Sequence, residues 1–333
     1  MEFTSQSKKV NEESESNLFL LEETLKENAR MYEYMSASNP NLPQIPVLIH
    51  EHEHYKQGET RMIPFDLSKQ LGIKYVATSP NLLASFIRIK KNETYIYNSQ
   101  STSNVFYIIK GNGKFTNRNY KAINYSEGDL IVLPSGSNFV NNNILINSQN
   151  EDTAIYCISD EPLLKYLNVA SLGNNFEPTI FRKKEMLDKI EEISHEPDAK
   201  HKNRLGILLG NKKTDPIEKG GSGTLTLTPT MWSLLNVLPA NSYQKPHRHN
   251  SVALDLCVSG GCEGVYTLMG PELDENKNVK NPIKCTWENG SVFVTPPGWW
   301  HSHHNDTNID SYVLPIQDAG LYTYQRTLNI EFS

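Results

Sequence analysis

Asn289-Gly290-Ser291-Val292-Phe293-Val294-Thr295-Pro296-Pro297-Gly298 repeats a phrase from the first half of the chain, Glu127-Gly128-Asp129-Leu130-Ile131-Val132-Leu133-Pro134-Ser135-Gly136. In both, a glycine opens a run of strand-forming residues, and Pro-x-Gly then turns the chain and ends the strand. A second pair precedes each phrase: Ser103 to Gly111 corresponds to Val252 to Gly260. Two correspondences in the same order mark an internal duplication of one β-barrel unit.

The flanking sequence fits two such units. Short β-rich runs punctuated by turn residues fill residues 72–160, among them Leu83–Ile89, Thr94–Tyr97, Val105–Ile109, Lys114–Phe115 and Leu130–Leu133. A second β-rich half follows the Gly- and Lys-rich stretch from Gly210 to Gly223. Helical spacing predicts a helix from Leu18 to Met35, stopping before Asn39-Pro40, behind a polar tail. It predicts another over Lys183–Ile193, where Met186, Leu187 and Ile190 share a face. The expected layout is a tail and helical arm over 1–45, an N-terminal barrel over 46–160, a helical linker over 161–203 and a C-terminal barrel over 204–333.

Composition narrows the function classes. With 333 residues, 38% apolar and 21% charged, the chain reads as an ordinary globular protein with a sizeable core. A formal net charge of −6 argues against a general nucleic-acid or anionic-membrane binder. No apolar run approaches the ~18 residues of a transmembrane helix, and Met1 to Ser16 lacks the apolar core of a signal peptide. Cys157, Cys257, Cys262 and Cys285 are too irregularly spaced for a disulfide framework, so free thiols in a reducing, cytoplasmic setting are expected.

Five of the ten histidines fall between positions 247 and 304. His247 and His249, in Pro246-His247-Arg248-His249-Asn250, are two residues apart, so a strand turns both to one face. His301, in Trp299-Trp300-His301-Ser302-His303-His304, would arrive from a neighbouring strand. Neutral imidazoles are the commonest side-chain ligands of transition metals, and three of them sketch a metal site.

These phrases resemble the two motifs of the cupin superfamily, and their duplication resembles a bicupin: an all-β chain of two jelly-roll (double-stranded β-helix) barrels with a helical arm and linker. The closer likeness is to the gentisate, salicylate and 1-hydroxy-2-naphthoate 1,2-dioxygenases. It rests on His247-Arg248-His249, Ala253-Leu254, Gly260, Pro296-Pro297, Trp300-His301 and His303, and upstream on Thr230-Met231-Trp232 and Asn236. It covers residues 204–325 with specific motifs and 72–145 more weakly. The resemblance implies an Fe(II) ion held by His247, His249 and His301, with Mn, Ni or Zn as other occupants. It also implies O2 and a small-molecule substrate that takes the remaining coordination positions, with ring cleavage as the reaction. Trp232, Asn236 and the catalytic His303 would position the ring, Trp300 would line the pocket and Arg204 would supply a carboxylate anchor. Arms of this kind clasp a second subunit, so a homo-oligomer is expected.

The chain departs from the pattern in three places. The N-terminal positions matching the three ligands are Asn98, Gln100 and Phe139, so only the C-terminal barrel should bind metal. The strand position where the family carries a carboxylate-binding Arg is Asp255, which either points outward as a structural residue or selects a cationic or hydroxyl-bearing substrate. The family's substrate-contacting Gln is Asn236 here. The usual fourth cupin ligand, a Glu, is also missing, with Ala253 and Leu254 in its place, as in this subfamily.

Competing readings accompany these. A metal-dependent cupin lyase or isomerase that does not use O2, and a non-catalytic metal-dependent sensor, fit the same ligands. His50-Glu51-His52-Glu53-His54 alternates as a strand-borne cluster would, but lies in a charged, loop-like stretch and reads as structural. Gly220-Gly221-Ser222-Gly223 lacks the order of a phosphate loop and reads as a mobile lid or connector.

Overall fold

The computed structural model describes residues 21–117, 120–135, 143–173, 175–197, 204–215 and 223–333, in two compact units, 1–42 and 43–333. In the first unit residues 21–28 are helical, and Tyr34–Ala37 forms one further turn. Glu33 starts that turn by accepting hydrogen bonds from the Met35 and Ser36 amides at 2.8 and 2.7 Å. The helix expected through Met35 is therefore broken, and the exposed Leu21, Leu25, Met31 and Tyr32 give it no packed face to hold it continuous. Leu18, the polar tail, Phe139 and residues 216–222 lie outside the described residues.

The second unit opens with β1 (Ile49–His50), β2 (Arg61–Pro64), β3 (Leu83–Ile89), β4 (Thr94–Tyr97) and β5 (Ser103–Lys110). Next come β6 (Asn112–Asn117), β7 (Tyr120–Ser126), β8 (Leu130–Pro134), β9 (Ile144–Ser148), β10 (Thr153–Ser159) and β11 (Thr179–Phe181). Helices Glu161–Leu167 and Lys183–Ser194 flank β11. The second half holds β12 (Leu205–Leu209), β13 (Trp232–Leu238), β14 (Ser242–His249), β15 (Ala253–Ser259) and β16 (Val265–Gly270). It ends with β17 (Ile283–Thr286), β18 (Val292–Thr295), β19 (Trp300–Asn305), β20 (Ser311–Gln317), helix Ala319–Gln325 and β21 (Ile330–Phe332).

These strands make two jelly-roll barrels. Sheet β11-β8-β5-β10-β3-β2 faces sheet β4-β9-β6-β7, and sheet β1-β18-β15-β20-β13-β12 faces sheet β17-β16-β19-β14-β21. The repeated glycines show why the phrase recurs: Gly128 (φ +83) and Gly290 (φ +82) take the same left-handed turn into β8 and β18, a conformation side chains resist. Strand alternation then sorts the core. Ile155 and Cys157 of β10 enter the first barrel, while Tyr156 and Ile158 pack outward against Leu254, Leu256 and Ile316 of the second. The large sheets thus stand back to back, and the Tyr156 hydroxyl donates to the Leu254 carbonyl across the junction at 3.2 Å.

Apolar side chains fill the first barrel, with Tyr97, Phe106, Phe115 and Tyr125 in ring contact at 5.0–5.2 Å. Asn98 and Gln100 lie just beyond β4, exposed. Two strands fall outside the expected barrel bounds. β1 pairs with β18 of the second barrel, although it lies within the 46–160 segment, and β11, inside the expected linker, pairs with β8 of the first.

The 50–54 histidines do not share a strand face, because the chain turns into a short helix at Glu53–Lys56. His50 is buried between Phe65 and Phe86, at 4.8 and 4.6 Å, and burial holds it down at about 4. His52 instead binds the Ser291 hydroxyl and, with Glu53 and Glu288, forms a surface group. Among the described residues no helix is long and apolar enough to cross a membrane.

Candidate metal centre

β14 and β19 lie side by side in the smaller sheet of the second barrel, with His247 directly opposite His301. A register shift between Gln244 and His247 spans Pro246, which has no amide hydrogen to give to the ladder. His249 follows two residues later on the same face. The nitrogen donors of His247, His249 and His301 all lie within 4.8 Å of one another, and all three residues are buried. The site lines a pocket of about 240 Å³ shared with Arg204, Trp232, Asn236, Asp255 and His303.

The ring environments suit metal ligation. His249 Nδ1 donates to the Ser251 carbonyl at 2.9 Å and His301 Nδ1 to the Trp299 carbonyl at 3.0 Å. Each bond places the proton on Nδ1 and leaves the Nε2 lone pair free to ligate. Desolvation keeps all three rings neutral, His249 at about 4 and His247 and His301 well below their ordinary value. A buried cluster of neutral imidazoles, two of them with the Nε2 lone pair held free, fits a divalent ion of the iron-to-zinc series.

Around the triad the pocket carries paired charge. The Arg204 guanidinium touches His247 Nδ1 and donates to Gln244 Oε1 at 2.7 Å, while its buried Nε has no partner among the described residues. Burial lowers Arg204 to about 9. Asp255 faces the pocket and accepts a 2.5 Å hydrogen bond from the Thr295 hydroxyl. Burial raises its carboxyl to about 7, with Thr295 and the Arg204 charge pulling the other way. Of the two readings of Asp255, the inward one describes its position.

His303 shares the inward face of β19 with His301 and approaches the triad from the side. The Thr267 hydroxyl accepts from the Trp287 indole at 2.8 Å and stands 2.8 Å from His303 Nδ1. That arrangement lets Thr267 donate to Nδ1 and leaves Nε2–H available to a ligand. Trp300 departs from expectation: alternation on β19 turns it out of the pocket, where it stacks under Arg248 at 4.8 Å.

Other pocket residues carry no motif. Gln244 ties Arg204 to Asn236 through 2.7 and 3.1 Å hydrogen bonds. Gln317 accepts from the Ser251 hydroxyl at 2.7 Å, and that hydroxyl lies 3.2 Å from His249 Nδ1. Ile330 and Phe332 of β21 wall the pocket, with Phe332 stacked on the His247 ring at 5.9 Å. Glu331, between them, pairs with Arg248 at 2.6 Å. A chain-terminal strand leaves no sequence signal of this role beyond its short apolar alternation.

The architecture decides the comparison. The fold is a bicupin. It matches the salicylate 1,2-dioxygenase of Pseudaminobacter salicylatoxidans with a TM-score of 0.69 at 16% identity, over 98% of this chain and 99% of that one. Adducts of the Pseudoaminobacter salicylatoxidans enzyme with gentisate match with a TM-score of 0.67 at 14% identity, over 99% and 96%. Procruciferin, an 11S globulin of Brassica napus, matches with a TM-score of 0.50 at 13% identity, over 87% and 86%. No protein-family model matches the chain, and no curated protein matches its sequence. Dioxygenases and a globulin both adopt this fold, so function has to be argued from the site.

Proposed function

We propose that the second barrel is an Fe(II)-dependent dioxygenase that opens the ring of a hydroxylated aromatic, or a similar chelating substrate, with O2. The donor set carries the reading: three buried neutral imidazoles, two oriented by backbone carbonyls, beside a guanidinium. When bound, the ion supplies adjacent open positions where a chelating substrate and O2 can meet. Mn, Ni and Zn suit the same donors.

The chain's own residues select the substrate. The imidazoles bring no negative charge, so Arg204 and a divalent ion together leave the pocket cationic even with Asp255 ionised. That favours an anionic chelator such as a hydroxy-carboxylate, with Arg204 as its anchor. Asp255, which faces the pocket, can accept from a hydroxyl or amino substituent. His303 donates from Nε2 to the substrate, Asn236 offers its amide, and Trp232, Ile330 and Phe332 form apolar walls that exclude water. Fold similarity to salicylate 1,2-dioxygenase supports the reading.

Asp255 also favours a second reading. A carboxyl facing the histidines is placed for general acid–base work, which a lyase or isomerase with a Lewis-acid ion requires. Oxygen uptake by anaerobically Fe(II)-loaded protein, across a panel of hydroxylated aromatic acids and amines, separates the two. Uptake with a ring-opened product supports the dioxygenase; turnover without uptake, sustained by Mn, Ni or Zn, overturns it in favour of the second.

A further inference from the structure

A second cavity, of about 180 Å³, lies between the barrels and is separate from the histidines. Ile109, Met186, Leu235 and Val258 make it apolar, and Lys183 and Glu127 pair at its mouth at 3.3 Å. Tyr107 lines it from β5. That side chain is 6% exposed, yet among the described residues its hydroxyl has no hydrogen-bond partner. The other buried tyrosines differ: Tyr97 donates to Asn104, Tyr125 to the Asn147 carbonyl and Tyr156 to the Leu254 carbonyl. The hydroxyl thus keeps its donor open to the cavity, where a ligand oxygen can accept from it. Burial and the nearby Glu127 and Asp129 keep this phenol protonated, hence a donor.

The chemistry of the walls defines the ligand. The mouth is charge-paired, so it offers no advantage to a net anion or cation. The floor calls for an apolar body, and Tyr107 calls for one acceptor oxygen. At interior packing density the volume holds roughly ten non-hydrogen atoms.

We propose that this cleft binds a small neutral molecule, aromatic or compactly aliphatic, through one carbonyl or hydroxyl oxygen that accepts from Tyr107. The site shares a wall with the metal pocket. Leu235 and Tyr312 face the cleft, while their neighbours Leu234, Asn236 and Val313 on the same strands face the histidines. The proposal does not depend on the reaction assigned to the metal centre, because the probe below cannot chelate.

The test is fluorine NMR of 4′-fluoroacetophenone titrated into the full chain. A saturable bound resonance is expected. Tyr107→Phe should weaken binding at least tenfold without lowering Tm, since no protein hydrogen bond is lost. Leu187→Trp, which fills the mouth from the solvent side, should abolish binding. The anion 4-fluorobenzoate should compete at least tenfold less well at this resonance. No saturable binding, binding unchanged in both variants, or equal competition by 4-fluorobenzoate would each overturn the proposal.

Discussion

Asp160 and Asp318 occupy matching places in the two barrels, and each carboxylate reaches across to the other barrel. Each follows the matching strand of its barrel, β10 or β20, and precedes a short helix. Asp160 accepts from the Thr102 and Ser103 amides at 2.7 and 3.1 Å and from the Thr230 hydroxyl at 3.0 Å. Asp318 accepts from the Val252 amide at 3.0 Å and from the Asn81 side chain at 2.7 Å. Thr230 and Asn81 both lie two residues before matching strands, β13 and β3, so the duplication extends to its own junction.

Burial raises both carboxyls, Asp318 to about 6. A raised carboxyl means the folded state binds more protons than the unfolded one between the unfolded value of ~3.9 and the folded value. The contribution to stability therefore falls as pH rises from about 4 through 6, by up to about 3 kcal/mol for Asp318. Asp318→Asn should remove this dependence, gaining on wild type by that order between pH 4.5 and 7.5. Urea unfolding at both pH values checks it, and parallel curves would refute it.

His301→Ala should reduce bound metal to background after loading and desalting, as read by elemental analysis. A two-imidazole remnant lacks the donors to hold an ion through exchange. Unchanged metal content would place the site elsewhere.

Thr267→Val should leave metal content intact while lowering turnover by tenfold or more, with KM changing less. It strands the Trp287 indole and frees the His303 ring, so stability should also fall by about 1–3 kcal/mol. Steady-state kinetics and thermal melts on the loaded enzyme read the two effects separately.

Asp255→Asn should tighten binding of anionic chelators by roughly tenfold, because it removes a like charge from a buried pocket. Asp255→Arg should shift preference further toward gentisate- or salicylate-type acids. Competition binding with salicylate on both variants measures the trend, and equal affinities would remove Asp255 from the pocket's selectivity.

Phe332→Ala should raise KM for ring substrates by several-fold with metal retained, because Phe332 stacks on His247 from the pocket wall. A KM equal to wild type would show that β21 only closes the sheet.

The duplication was legible because glycine with positive φ and Pro-x-Gly are backbone requirements written as residue types. The clustering of His247, His249 and His301 was legible because two of them sit two apart on one strand. Trp300 was misplaced because its likeness to a pocket residue outweighed the alternation that puts it opposite His301. Gln244, Gln317 and Phe332 left no trace because polar and apolar residues in ordinary strands acquire a role only through the partner strands they meet. The break in the arm helix was equally hidden: periodicity predicts an amphipathic face, but none of that unit's described residues buries it.

The crossing of β1 has a consequence for how the chain has endured. The second barrel's large sheet is completed by a strand that leaves the first half, so the first half cannot melt alone without stripping a strand from its neighbour. The unit should unfold as one cooperative block, and separately expressed halves should fail to fold. Deleting the first half would cost the histidine barrel an edge. A barrel that supplies a strand to its neighbour is kept by that neighbour's need for it, whatever chemistry it carries itself.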